Sequence, residues 1–409
     1  MIGTIASAGL GFVFWWLAAR LFPPETIGRA SALFAVMGLI AMISEAGLGT
    51  VLVGEIVRHH DKKRGLVAAA CVVGPIFAAV LSAIFMFTAE QWEGSAHLID
   101  GVFVGSMFVA GCALTSLSLL FDQALVGMLR TTSRMIRQAL FSLLKLGLLL
   151  IAIKSASETA IMMSWVLGML ASFLGLEIVR RREVTQFIHK PDFGLLHSLR
   201  GKVLDHFQLD FALQAPGVAM PYLVLLLLSP VINAAFSALW MVVTMISIIP
   251  AALAMVLFPA VRSDPEQTGH HIRLSLALSM VISFCCGLFI FFSSQQILGI
   301  FNPAYPDIAG LDLRHLGFGL IGLSFKMHAG TLARLTDTMA RASKWFALSG
   351  LLEIGCAIAG AKLGGLHGLV IGWTAAVSMA GAMLMLKGVA VARTKLSGET
   401  VGTALPETL

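Results

Sequence analysis

The sequence predicts an all-α, polytopic membrane protein with twelve transmembrane helices. Three observations predict it. Of the 409 residues, 58% are hydrophobic and only 12% are charged, where a soluble chain carries about a quarter charged residues. Mean hydropathy is +0.90, and apolar runs long enough to cross a hydrocarbon core of about 30 Å recur from end to end. The lysines and arginines, finally, gather in alternate loops between those runs.

The spans fall at 2–19, 31–54, 66–89, 100–121, 138–153, 158–179, 207–229, 231–259, 274–295, 311–333, 345–361 and 366–386. Loops after the even-numbered spans hold 21 Lys and Arg and loops after the odd-numbered spans hold 5, counting Arg314 at the entry of span ten with the loop before it; Lys145 and Lys326, deeper inside spans, complete the 28. That bias places both termini in the cytoplasm. The net charge of +6 is therefore topology, and no nucleic-acid partner is expected.

Span one is rich in aromatics and opens almost directly at Met1, which reads as a short or truncated start. No charged segment or small-residue cleavage site marks a signal peptide. Pro75 in span three and Pro250 in span eight read as packing kinks. Span seven carries Pro216 and Pro221 beside Asp210 and Gln214, so it is the stronger candidate to line a cavity. The densest basic segment, RRREVTQFIHKPDFGLLHSLRGK (Arg180 to Lys202), lies at the midpoint of the chain. Six spans on each side insert with the same orientation, a parallel pseudo-repeat. The expected layout is an N-lobe at 1–179, a basic cytoplasmic linker at 180–206, a C-lobe at 207–387 and a disordered cytoplasmic tail at 388–409. The linker reads equally well as an interfacial segment on anionic lipid and as ordinary positive-inside charge.

Several motifs carry no chemistry. GFGLIG, Gly317 to Gly322, matches a dinucleotide fingerprint but lies in a membrane span after no strand; its glycines suit close helix packing. There is no GxxxxGK[ST] nucleotide loop. The adjacent pairs His59–His60 and His270–His271 point about 100° apart on a helix, poor geometry for one metal. The five cysteines all lie in apolar runs without CxxC spacing, so no metal or disulfide is expected. No paired carboxylates or nucleophile occupy a loop large enough to form an active site. Catalytic residues, cofactors and enzymatic activity are not expected.

What remains is charge at membrane depth: Glu45, Lys145, Lys326 with His328, and Glu353, with Asp210 near a cytoplasmic end. A charge at the bilayer centre costs about 3 kcal/mol on insertion scales, so each marks a functional candidate. Lys326 lies eight residues before Arg334 and Lys145 eight after Arg137, each about 12 Å deep at 1.5 Å per residue. Three readings stay open. The lysines and glutamates pair inside the bundle; or Lys145 and Lys326, with Asp210 and Gln214, meet an anionic headgroup in a cavity; or Glu45 and Glu353 take up a proton or sodium ion that drives a cycle.

The stretch GFVFWWLAARLFPPETIGRASALFAVMGLIAMISEAGLGTVLV, residues 11–53, resembles the opening of prokaryotic polysaccharide and oligosaccharide-lipid flippases of the multidrug/oligosaccharidyl-lipid/polysaccharide exporter superfamily. The second half continues the resemblance in NAAFSALWMVVTMISIIPAALAMVLFPAVRSDPE, in ILGIFNPAYPDIAGLDLRHLGFGLIGL and in KLGGLHGLVIGWTAA. The resemblance implies two six-helix lobes forming a V around a central, often cationic cavity. It also implies alternating access that moves an isoprenoid-pyrophosphate-linked oligosaccharide across the inner membrane. Membrane lipid and a glycan polymerase or glycosyltransferases are the partners it implies. Glu45 and Glu353 stand where that family is expected to carry neutral residues. The rivals are a drug/cation antiporter of the same superfamily and a non-transporting scaffold of a glycan-assembly complex.

Overall fold

A computed structural model describes residues 2–58, 61–89, 91, 98–99, 101–155, 157–264 and 267–402, and these are all helix, turn or irregular backbone, without a strand. The helices are α1 (Ile2–Leu21), α2 (Pro24–Glu45), α3 (Leu48–Arg58), α4 (Lys63–Ala89), α5 (Gly101–Gly127), α6 (Thr131–Ala152), α7 (Glu158–Val179), α8 (Phe193–Ser198), α9 (Arg200–Leu227), α10 (Pro230–Ser263), α11 (Thr268–Phe301), α12 (Tyr305–Ala309), α13 (Gly319–Leu335) and α14 (Met339–Gly402). Nine stretches among the described residues are long and apolar enough to cross a membrane. The twelve expected spans map onto these. Met339–Ala392 holds two spans, α13 is a 17-residue helix, and α1 contributes the shorter apolar stretch Gly9–Leu21.

Local chemistry explains the ends. Pro24 opens α2 with Glu25 in its first turn, the residue types that suit an N-terminus lacking partners for its first N–H groups. The hydroxyl of Ser157 accepts from the Ala160 N–H at 3.3 Å and caps α7. Two differences from the expected spans have backbone causes. Span two is broken between α2 and α3 at Ala46 and Gly47, both at positive φ. A Cβ on Gly47 would stand 2.7 Å from the carbonyl oxygen of Val203 and 2.6 Å from the nitrogen of Phe207, so the turn lets α9 approach. The last two spans are one hydrogen-bonded run interrupted at Gly364 and at Gly365, φ +59°. Span ten, expected from 311, begins as helix only at Gly319, after a 3₁₀ segment at Arg314–Phe318. At the C-terminus α14 continues to Gly402, where a disordered tail is expected from 388; residues 403–409 and the His59–His60 pair lie outside the described residues.

The chain divides into two compact units. Unit 1 is Met1–Phe211, Gly217–Ala238 and Ile300–Ile308; unit 2 is Ala212–Pro216, Leu239–Gly299 and Ala309–Leu409. This grouping differs from a boundary at 180–206, because the first half of α9 lies against the α2–α3 turn and the linker folds onto unit 1. Phe187 of the linker is buried with its ring 5.6 Å from Phe121, and the Asp192 N–H donates to the Gly65 carbonyl at 2.9 Å.

The core of unit 1 lies among α2 to α7. Leu33, Met37, Phe108 and Cys112 form one part, and Leu52, Leu66, Leu120, Phe121 and Leu125 the other. On α4 the exposed Val73, Ile76, Val80, Ile84 and Phe87 recur every three or four residues, an apolar face that suits lipid chains. The motifs quoted above from the two halves meet inside unit 1. Asn233 donates to the Gly28 carbonyl at 2.7 Å and to Ser31 Oγ at 3.1 Å, and Asn302 donates to the Ala19 carbonyl at 2.6 Å. In unit 2, α13 packs on both arms of α14. A Cβ on Gly319 would strike the Trp373 ring, and one on Gly322 would lie 2.5 Å from the Val377 carbonyl. The glycines of GFGLIG are thus a close-packing surface, as their position in a span predicts.

Candidate functional site

In unit 1, α6 and α7 cross so closely that a Cβ on Gly168 would stand 2.9 Å from the Lys145 Cβ. The contact leaves Lys145 3% exposed. Its Nζ sits 4.1 Å from the centroid of the Trp165 ring and 4.7 Å from those of Phe14 and Phe141. The ring faces attract the ammonium by their quadrupole. No carboxylate lies within ion-pair distance of it among the described residues. The head of Lys145 therefore sits in an aromatic cage, without a carboxylate partner among the described residues.

A second buried cation of unit 1 is fully paired. Arg137 donates from Nε to Asp122 Oδ1 at 2.7 Å and from Nη2 to Oδ2 at 2.5 Å, with Gln138 adding a bond to Oδ2 at 3.0 Å. The guanidinium lies 5.0 Å from the Phe173 ring. The sequence reading assigns both residues to the loop between spans four and five, and so misses the pair. α5 in fact runs on to Gly127 and α6 starts at Thr131. An acid and an arginine 15 residues apart around a short turn were the available signal.

The carboxylates Glu45 and Asp210 come together beside the α2–α3 break. Glu45 accepts from the Gly49 N–H and feels the charge of Asp210, whose Oδ2 accepts from Thr50 Oγ1 at 3.3 Å. Gln214 lies in the part of α9 that belongs to unit 2, and its side chain is exposed.

Unit 2 pairs two of the predicted charges with each other. Lys326 Nζ donates to Glu353 Oε1 at 2.6 Å, and Ser349 Oγ donates to the same oxygen at 2.8 Å. Both charged residues are 1% exposed. His328, two residues on, faces a different helix. Its Nδ1 lies 2.8 Å from the Ser324 carbonyl and its Nε2 3.0 Å from Ser275 Oγ of α11. Ser275 is one of four polar residues, His271, Ser275, Ser279 and Ser283, spaced by four along α11. Ser283 in turn shares a hydrogen bond of 2.8 Å with Ser324. The spacing of four in an apolar span was legible, but the partner helix was not.

Among the described residues no group of three or more His, Cys, Asp or Glu could hold a metal ion. The arrangement offers instead a caged lysine, two buried salt-bridged pairs, a half-buried pair of carboxylates and a buried, hydrogen-bonded imidazole.

Membrane-length helices in both units define a multi-pass membrane protein. The chain belongs to the family described as polysaccharide biosynthesis protein, which matches residues 1–263. No curated protein matches the chain in sequence. Among solved structures, an inward-facing multidrug resistance MATE family transporter of the MOP superfamily is similar with a TM-score of 0.70 at 16% identity, over 98% of this chain and 96% of that one. The lipid II flippase MurJ in an inward closed conformation has a TM-score of 0.69 at 14% identity, over 100% of this chain and 93% of that one. A MOP superfamily transporter from Pyrococcus furiosus gives 0.57 at 16%, over 97% and 94%. At such identities the likeness establishes a shared fold.

Proposed function

We propose that the protein is a flippase that carries an isoprenoid-pyrophosphate-linked oligosaccharide across a prokaryotic inner membrane, with both termini in the cytoplasm. The observation that carries the reading is Lys145, a lysine caged by aromatic rings within an apolar helix with no carboxylate beside it, in a family named for polysaccharide biosynthesis. A pyrophosphate supplies the missing negative charge, and ammonium binds phosphate as a compact point charge. The fold shared with a lipid II flippase and the bias of Lys and Arg toward alternate loops support the same direction. Lys326 can join the headgroup only by exchanging Glu353 for phosphate, so it acts as a second and conditional cation. Asp210 of unit 1 and Gln214 of unit 2 are further candidates for polar contacts to a headgroup. Glu45 beside Asp210 is the candidate for taking up a proton or sodium ion, because one positive ion offsets the repulsion of two neighbouring carboxylates; Glu353 is its counterpart in unit 2.

The test is translocation of a lipid-linked oligosaccharide by the protein in vesicles. Lys145→Met should cut the rate about 10- to 100-fold, the worth of one charge-assisted contact of 1.5–3 kcal/mol, while Lys145→Arg keeps part of it. Undiminished translocation in Lys145→Met with Lys326→Met would remove the cation-binding reading. The Glu45–Asp210 pair favours a second reading, a drug/cation antiporter, in which the carboxylates hold an organic cation. Efflux of such a cation that is lost in Glu45→Gln, together with no movement of lipid-linked glycan, would select it.

A further inference from the structure

The linker between α7 and α9 is held on unit 1 at two points, and the residues around them line a cavity. Phe187 is buried with its ring on Phe121, and the Asp192 N–H donates to the Gly65 carbonyl at 2.9 Å. Gly65 is itself buried, and a Cβ there would stand 3.2 Å from the Asp192 Cβ. The linker therefore lies close against the first turn of α4, and both segments line an open pocket of about 850 Å³. That volume falls within the roughly 300–1,000 Å³ usual for small-molecule sites.

The lining combines charge with apolar surface. Lys62, Lys63 and Arg64 come from the start of α4 and Lys190 from the linker, against the carboxylates of Asp61 and Asp192. Asp192 is already engaged, because its Oδ1 accepts from the Leu195 N–H at 2.8 Å and caps α8. Lys62, Arg64 and Lys190 are exposed, and none of the three has an ion-pair partner among the described residues. Cations in the first turn of a helix oppose its dipole, so α4 gains no stability from Lys63 and Arg64. Phe193, 52% exposed, also lines the pocket, and Ile188 of the same segment is 82% exposed.

A positive-inside bias accounts for basic loops. It does not require cations from two distant segments to line one pocket, and it does not explain apolar side chains bared beside them. Together these are the pattern of a surface that meets anionic lipid, with cations for the phosphate and apolar side chains for the acyl boundary.

We propose that this pocket of unit 1 binds the headgroup of an anionic phospholipid from the membrane leaflet on the side of the basic loops. Lys62, Arg64 and Lys190 meet the phosphate, and Phe193 and Ile188 enter the acyl boundary. The site shares no residue with the buried charges described above. It rests on the chain being a membrane protein and on nothing about its cargo, since lipid binding is measured without transport.

The measurement is native mass spectrometry of the full-length protein in detergent, titrated with phosphatidylglycerol or with phosphatidylcholine of the same acyl chains. The expected result is one molecule of phosphatidylglycerol retained in preference to phosphatidylcholine. Each cation near an anionic headgroup is worth about fivefold in affinity, so Lys62→Gln with Arg64→Gln and Lys190→Gln should weaken that molecule about 100-fold. Phe193→Ser should weaken it about 10-fold. Arg180→Gln with Arg181→Gln and Arg182→Gln removes as much charge from the same linker outside the pocket, and should leave the retained molecule unchanged. All of these side chains are exposed, so the variants keep the fold. Equal loss in the two triple variants would reduce the effect to net charge and overturn the site. Retention in both, or equal retention of phosphatidylcholine by the native chain, would overturn it as well. Glycerol phosphate, a headgroup without acyl chains, separates the lipid from a soluble phosphate compound. It should compete only at concentrations about 100-fold above those of the lipid; if it binds as tightly as the lipid and Phe193→Ser makes no difference, the pocket takes a soluble anion and the lipid proposal fails.

Discussion

At the scale of single residues, the buried charges differ in what their removal exposes. Arg137→Ala strands Asp122 in the interior without its two guanidinium bonds, and the expected loss is about 3–5 kcal/mol, read as a lower unfolding temperature in detergent. The double change Arg137→Met with Asp122→Leu should regain most of it, because neither charge is then left buried. The same logic separates structure from transport at Lys326. Lys326→Met alone leaves Glu353 uncompensated at 1% exposure and should destabilise the protein. Lys326→Met with Glu353→Met should restore thermal stability; if it also restores translocation, neither charge has a role in transport. Residue chemistry was legible in part. A lysine in an apolar run is visible as an anomaly in one dimension, and Lys145, Lys326, Glu45 and Glu353 were found that way. Which anomaly neutralises which was not visible, since Lys326 and Glu353 are 27 positions apart and only the packing of α13 on α14 brings them together.

At the scale of elements, glycine decides how near two helices come. Gly322 of α13 and Gly381 of α14 face each other's backbones, and a Cβ on Gly381 would stand 2.5 Å from the Gly322 carbonyl oxygen. Gly322→Leu should separate the helices, loosen the Lys326–Glu353 pair and cost at least the 1–3 kcal/mol typical of overpacking, again measured by thermal unfolding. Gly365 is a milder case. Nothing lies within 4 Å of its would-be Cβ, but its φ of +59° is left-handed, so Gly365→Ala should cost only about 1 kcal/mol. Helix existence was legible throughout, because the apolar runs are long and uninterrupted. The exceptions had backbone causes. The break at Ala46–Gly47 lies inside an apolar run, so hydropathy carries no trace of it, whereas the late start of α13 follows Asp312, Arg314 and His315, polar residues that a span from 311 takes in. The prolines of α4, α9 and α10 likewise leave each helix continuous, since neighbouring groups can serve the carbonyls that a proline releases.

At the scale of the whole molecule, the alternation of 21 and 5 basic residues across the loops makes a prediction about orientation. In a variant lacking the five native cysteines, a cysteine at Ser198 should react with an impermeant maleimide only from the cytoplasmic side, and one at Gly364 only from the opposite side; the reverse pattern would invert the topology. The sequence by itself determined that this is a helical membrane protein, where its apolar runs lie, and that Glu45, Lys145, Lys326 and Glu353 fall inside them. It could do so because hydropathy and the cost of burying charge in lipid act on every residue locally, whatever its distant neighbours. Only the tertiary structure decided that Lys145 sits in a cage of three rings, that Lys326 is answered by Glu353, that Arg137 is a core residue, and that His328 of α13 meets Ser275 of α11. Each of these depends on contacts between helices far apart in the chain, set by small residues and side-chain shape. A pattern of hydropathy contains neither.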